Sequence, residues 1–284
     1  MKLLTTFMQS VITILIIIII FLSIFLRLFI INVPYIKNAS NNNTEMLNSY
    51  GVVILNNFIS KNDIKIIKSF IENNEVIKVK KYIIESPPLK EKIKVILGDD
   101  YVFHDYIFLI KKSQFHSCHR DYNGDFFNEG QQFPSYTMII YLEDMSKCLD
   151  VIHKSHTHKG EYDFNMTDYT QSLQCKPGDA ILFNANLVHS GSLNEKENNV
   201  RIQLKISNKS DMDKLKFYSN YNKVLNTENN TPYIIKHIQK HISCQLPAIS
   251  SYLKDYDNNY NKEDVIKGSS IFSSLFANLD TVPP

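Results

Sequence analysis

His119-Arg120-Asp121 places an imidazole and a carboxylate one residue apart. In an extended segment the side chains at i and i+2 share a face, so both can ligate one divalent metal. A second imidazole, His189, follows 68 residues after Asp121 in Leu187-Val188-His189-Ser190-Gly191, behind a Pro177-Gly178-Asp179 turn and an apolar run. Two histidines and one carboxylate make the facial triad that leaves three coordination positions open on non-haem Fe(II). Arg201 stands 12 residues beyond His189 and is one of three arginines, with Arg27 and Arg120, in a chain whose other positive charge is lysine. A planar guanidinium grips a carboxylate through two parallel hydrogen bonds, which lysine cannot copy. Arg201 therefore reads as an anion-holding residue, although the alternation of its strand alone fits a solvated side chain equally well.

Short strands separated by turn residues are predicted to position these groups. Residues 51–55, 101–110, 136–142, 171–175, 180–183, 187–189 and 201–207 carry the apolar, β-branched and aromatic runs, and the rhythm indicates an all-β sandwich or barrel. In the last of these, Ile202, Leu204 and Ile206 alternate with Arg201, Gln203 and Lys205, giving one apolar and one polar face. A helix capped by Ser60 is expected from the spacing of Ile64, Ile67, Phe70 and Ile71, and a second over 89–97, stopped by Gly98. Residues 122–133 suit a loop at a barrel mouth, either touching substrate or serving as ordinary surface. His116 and Cys118 beside the motif raise the alternative of zinc, but a closed tetrahedral site would leave Asp121 and Arg201 unexplained. His153, His156 and His158 read as structural, because the triad is already complete without them.

Taken in order, His119-x-Asp121, His189 and Arg201 resemble the Fe(II)/2-oxoglutarate-dependent dioxygenases, nearest to the phytanoyl-CoA dioxygenase-like branch. Residues 148–156 are similar to that branch's G-x-L-x-x-x-P-G-S-H stretch, with His153-Lys154 in place of Pro-Gly, and Lys176-Pro177-Gly178-Asp179 is similar to its G-D entry to the distal-histidine strand. The similarity spans about residues 50–207. It implies a mainly β, double-stranded β-helix (jelly-roll, cupin-like) fold with flanking helices. It also implies Fe(II) on His119, Asp121 and His189, with Arg201 on the distal carboxylate of 2-oxoglutarate, and O2 as the other co-substrate. Ascorbate would be supportive. The implied reaction is hydroxylation with release of succinate and CO2, and it requires neutral imidazoles, so acid should inhibit it. The substrate stays open between a small molecule, a lipid or acyl group, and a protein side chain. Two rivals remain: an inactive scaffold on the same fold, and a metal-dependent cupin-like enzyme that does not use 2-oxoglutarate. A nucleic-acid demethylase is disfavoured by Ser207, where that branch carries a second arginine.

The chain opens on an apolar stretch from Phe7 to Ile31, free of charge over 11–26. Roughly 20 such residues cross a bilayer as a helix, so a single transmembrane anchor is expected through residues 7–31. A cleaved signal peptide typically has a shorter apolar region, about 7–15 residues. The sequons at Asn38 and Asn42 favour an extracytoplasmic catalytic domain. The expected layout is an anchor over 1–36, a linker over 37–50, the dioxygenase domain over 51–210 and a partly helical extension over 211–284, with Ile234, Ile235, Ile238 and Ile242 on one helical face. A net charge of +2 offers no basic field to nucleic acid. Cys118, Cys148, Cys175 and Cys244 show no metal-type pairing, and the sequence does not choose a disulfide among them.

Overall fold

The computed structural model describes residues 2–29, 42–112, 118–121, 131–145, 147–157, 171–192, 199–226, 232–236 and 240. Two units separate, Met1–Pro34 and Tyr35–Pro284. The first contains the helix α1 (Lys2–Phe29), whose side chains are described over residues 9–22. Among the described residues no helix is long and apolar enough to cross a membrane. The transmembrane span expected over 7–31 is therefore not upheld, and the single-pass topology and extracytoplasmic placement built on it fall with it.

The second unit is built on strands β1 (Val52–Leu55), β2 (Tyr101–Phe103), β3 (Tyr106–Ile110), β4 (Tyr136–Tyr141), β5 (Leu149–Val151), β6 (Gln171–Ser172), β7 (Ala180–Asn184), β8 (His189–Gly191), β9 (Arg201–Asn208) and β10 (Tyr221–Leu225). Seven of them form one sheet in the order β1-β7-β4-β9-β3-β10 with β2 also on β9, and β6-β5-β8 form a second. Every pairing is antiparallel except β10 on β3.

Alternation decides which side of the large sheet each residue faces. Val53, Leu55, Met138, Ile140, Ala180, Leu182, Ile202, Leu204 and Ile206 point to one side and pack against helices. These helices are α2 (Asn43–Tyr50), α3 (Lys61–Glu72), α4 (Val76–Ile84) and α5 (Pro87–Leu97). Val52, Ile54, Ile139, Tyr141, Ile181 and Phe183 point to the other and meet Leu149 and Val151 of the small sheet. The result is a jelly-roll-like pair of sheets with helices behind the larger one. At the turn before β7, Gly178 has φ 94° and donates its N–H to Tyr141 O, and a Cβ there would come within 2.7 Å of Ile59 O. Only glycine fits that approach without strain.

The helix starts follow local chemistry. Ser60 and Asp63 form a reciprocal capping box at α3, satisfying two backbone donors at once, and α5 begins on Pro87-Pro88 and ends at Gly98. Residues 43–50, read as linker, instead form α2, capped by Asn42 and anchored by buried Met46 and Leu47. The helix α4 has no side-chain cap, and its Val76-Ile77-Lys78-Val79 start is β-branched enough to hide it from a propensity reading. Within the expected extension, β10 joins the large sheet. Ile238 and Ile242 lie outside the described residues.

The strand expected over 101–110 is broken at His104-Asp105. Phe103 pairs with Ile206 and Phe108 with Gln203, so two extra residues bulge from this strand. The bulge buries His104, which hydrogen-bonds Ser207 Oγ through Nε2 at 2.8 Å and stacks edge-on against Tyr218. Burial first, and the Lys205 charge second, push the His104 pKa down to about 4 from 6.5. An unfolded chain takes a proton there below about 6.5 while the folded chain refuses it down to about 4. The stabilisation is thus complete above the unfolded value and is lost as pH falls through this window. Between pH 7 and pH 5 the loss should be about 2 kcal/mol. Denaturant unfolding of His104→Gln should show a flatter pH dependence by that amount, and an unchanged slope would refute the assignment.

Candidate metal centre

His119 and His189 face each other in an isolated antiparallel bridge, exchanging both backbone hydrogen bonds at 2.9 and 3.0 Å. Two residues on, Asp121 N–H donates to Ala185 O at 2.8 Å. The extended backbone turns His119 and Asp121 to the same side, as their spacing predicts. His119 Nε2 lies 3.7 Å and His189 Nε2 3.6 Å from Asp121 Oδ1. One ligand atom from each of the three residues lies within 4.8 Å of the other two. His189 Nδ1 donates to Leu187 O at 2.9 Å, which assigns the proton to Nδ1 and makes Nε2 the lone-pair nitrogen that a metal would take. The Phe183 ring, 4.5 Å from that imidazole, walls it from the core side. This donor set, two neutral imidazole nitrogens and a carboxylate oxygen converging from one side, fits a divalent transition metal with open positions.

The carboxylate is held from behind. In the register of β4 and β9, Thr137 stands opposite Lys205, both on the face turned away from the helices. Lys205 Nζ donates to Asp121 Oδ2 at 2.6 Å and to Thr137 Oγ1 at 2.8 Å, and Thr137 Oγ1 donates to the same Oδ2. Burial alone would raise the Asp121 pKa, but the Lys205 ammonium, with His189 and His119 behind it, outweighs that and keeps the carboxyl well below the ordinary range. Neither Thr137 nor Lys205 was singled out from the sequence. The alternation of 201–206 did carry a signal, since Lys205 shares a face with Arg201.

Arg201 is buried on that same face and sits opposite Tyr141 in the sheet register. Its guanidinium bonds the Asn199 side chain. The Tyr141 hydroxyl is buried and has no hydrogen-bond partner among the described residues, and burial raises its pKa far above 10.0. The buried phenol and the buried guanidinium are thus neighbours on the face turned away from the helices. Cys148 and Cys175 are free thiols here. Cys118 is disulfide-bonded, and Cys244 lies outside the described residues, as do His116, His158 and residues 122–130.

Arg120, between the two proximal ligands, is 1 % exposed. It donates through Nε to Asn186 O at 2.9 Å and through Nη2 to Ser155 O at 3.3 Å. Ser155 Oγ accepts from Val188 N–H, so one guanidinium ties the His119 segment to both neighbouring loops that frame His189.

The family model for phytanoyl-CoA dioxygenase matches residues 59–198. That segment resembles phytanoyl-CoA dioxygenase. No curated protein matches the chain. Among solved structures, the α-ketoglutarate-dependent epimerase SnoN of nogalamycin biosynthesis is 10% identical, with 58% of this chain and 81% of that chain covered at a TM-score of 0.46. AviO1 from Streptomyces viridochromogenes Tue57 is 14% identical over 62% and 97%, TM-score 0.46. HygX from Streptomyces hygroscopicus, with nickel and 2-oxoglutarate bound, is 11% identical over 60% and 86%, TM-score 0.44.

In this phytanoyl-CoA dioxygenase-like domain the departure at His153-Lys154 keeps a backbone conformation suited to glycine. Lys154 has φ 66°, a left-handed conformation that costs a side chain of its size about 1 kcal/mol. Its N–H bonds Tyr50 O, and its ammonium lies over the Tyr50 ring at 5.7 Å. His153 packs against the same ring, and burial, with Lys154 beside it, lowers its pKa to about 4. His156 bonds Asn48 O. These histidines tie α2 to the loop rather than joining the triad.

Arg120→Met should lower stability by about 2–4 kcal/mol, because it strands the carbonyls of Asn186 and Ser155 in the interior. Urea unfolding checks this. A loss below about 1 kcal/mol would mean that both carbonyls find other partners.

Proposed function

We propose that the domain is an Fe(II)- and 2-oxoglutarate-dependent oxygenase that hydroxylates a small-molecule substrate. The observation that carries this reading is the convergence of His119, Asp121 and His189, whose ligand atoms, one from each, lie within 4.8 Å of one another, inside the segment that the family model matches. Fe(II) bound there would supply oxygen activation coupled to decarboxylation of 2-oxoglutarate to succinate and CO2.

The chain's own residues prepare that chemistry. The Nδ1–H of His189 fixes its tautomer and ring plane against Leu187 O, so Nε2 needs no reorientation on metal uptake. Arg201 and Tyr141 are assigned to the distal carboxylate of the co-substrate. The guanidinium offers charge and paired donors, and the phenol, unpartnered among the described residues, offers one more. Burial lowers the Arg201 pKa, so an incoming carboxylate would relieve the cost of holding a cation there. Phe183 beside His189 excludes water from the core side. A small-molecule substrate is the partner class this reading takes.

Succinate release by the full chain with Fe(II), ascorbate and 2-oxoglutarate tests the proposal. Turnover should vanish with a chelator, return with Fe(II), and be absent in His189→Ala. Arg201→Ala should keep metal uptake while the apparent KM for 2-oxoglutarate rises by at least about tenfold. If Arg201→Ala left that KM unchanged, the cupin-like alternative without 2-oxoglutarate would stand instead. If the wild type made no succinate and calorimetry detected uptake of neither metal nor 2-oxoglutarate, the scaffold reading would replace both.

A further inference from the structure

Asp121 has two carboxylate oxygens, and the structure gives them different partners. Oδ1 faces the two imidazoles at 3.6 and 3.7 Å. Oδ2 is taken by Lys205 Nζ at 2.6 Å and by the Thr137 hydroxyl. Lys205 is itself 3 % exposed, bonded to Thr137 Oγ1 and lying 5.7 Å from the centre of the Tyr218 ring. Its ammonium therefore neutralises the one acidic member of the triad at hydrogen-bond distance.

We propose that Lys205 is a positioning residue for the metal centre, which holds Asp121 to ligation through Oδ1 alone and cancels its charge, so that a bound divalent cation presents its full double charge to a dianionic co-substrate. This rests on the metal and 2-oxoglutarate reading above. Two consequences of opposite sign follow. A cation beside the carboxylate repels the metal and competes for its ligand, so Lys205 weakens metal binding. The same cation makes the loaded site more positive by one unit, so it strengthens binding of a dicarboxylate. A residue that merely supported the fold would move both affinities the same way.

The test uses the full chain and Co(II) as the probe, with thermal unfolding as the check on folding. Co(II) affinity is measured by calorimetry first, then 2-oxoglutarate affinity at saturating Co(II). In Lys205→Met, Co(II) should bind on the order of tenfold more tightly and 2-oxoglutarate on the order of tenfold more weakly, the scale expected for one unit charge a few ångströms away. Lys205→Gln, which keeps a donor for Oδ2 and removes only the charge, should give the same pair of shifts and stands in if the Met variant does not fold. Unchanged affinities, or two affinities that fall together, would overturn the role of Lys205 while leaving the metal site intact. A wild-type chain that takes up no Co(II) would instead overturn the metal reading, and this inference with it.

Discussion

A carboxylate buried to the depth of Asp121 costs several kcal/mol unless charge and hydrogen bonds replace the water it gives up. Here the replacement comes from one lysine and one threonine on neighbouring strands, and the rest of the domain can be understood as the means of bringing them together. Thr137 and Lys205 meet only because β4 and β9 pair in one register. A slip of β9 by a single residue would turn Lys205 toward the helices and bring an apolar neighbour to the metal side. The apolar layer behind the sheet therefore specifies the polar layer in front of it. Ile202, Leu204 and Ile206 fix the register by packing against the helices, and Arg201 and Lys205 inherit their places from it.

The distal ligand depends on a different constraint. His189 is held by its backbone bridge to His119 and by the side-chain bond to Leu187 O. The loop before it is tied down by Arg120 and Ser155. Arginine rarity, noticed in the sequence as a mark of function at Arg201, has a second explanation at Arg120, where the same planar fork serves two carbonyls. Both retained arginines of this domain are buried, and at Arg120 two nitrogens of the guanidinium reach two carbonyls, which a lysine's single ammonium could not do with the same geometry.

Much of the frame was legible because it rests on short-range chemistry. Ser60 announces α3, Pro87 and Gly98 bound α5, and alternation within 201–206 separates core from site. What escaped was set by longer-range contacts. The bulge at His104 exists because Ser207, more than a hundred residues away, supplies its hydrogen bond, and β10 is a strand because β3 offers it an edge. Lys205 looked like the polar half of an alternating strand, and only the register across β4 turns it into a partner for Asp121. The transmembrane expectation failed for another reason. It was drawn from an apolar run of sequence, whereas no described helix is long and apolar enough to cross a membrane. The identities of His119, Asp121 and His189 were visible as spacing, but their mutual approach is a property of the bridge that joins two distant segments.

β10 runs parallel on the outer side of β3, and four of its five residues are at least partly exposed. It occupies backbone donors and acceptors of β3 that would otherwise face solvent, and Lys223 places a charge over the Phe108 ring at that margin. An uncovered row of such groups on a strand as apolar as Tyr106–Ile110 is a template for pairing between chains. β10 thus covers that row, and a chain lacking it should scatter light at concentrations where the longer one stays clear.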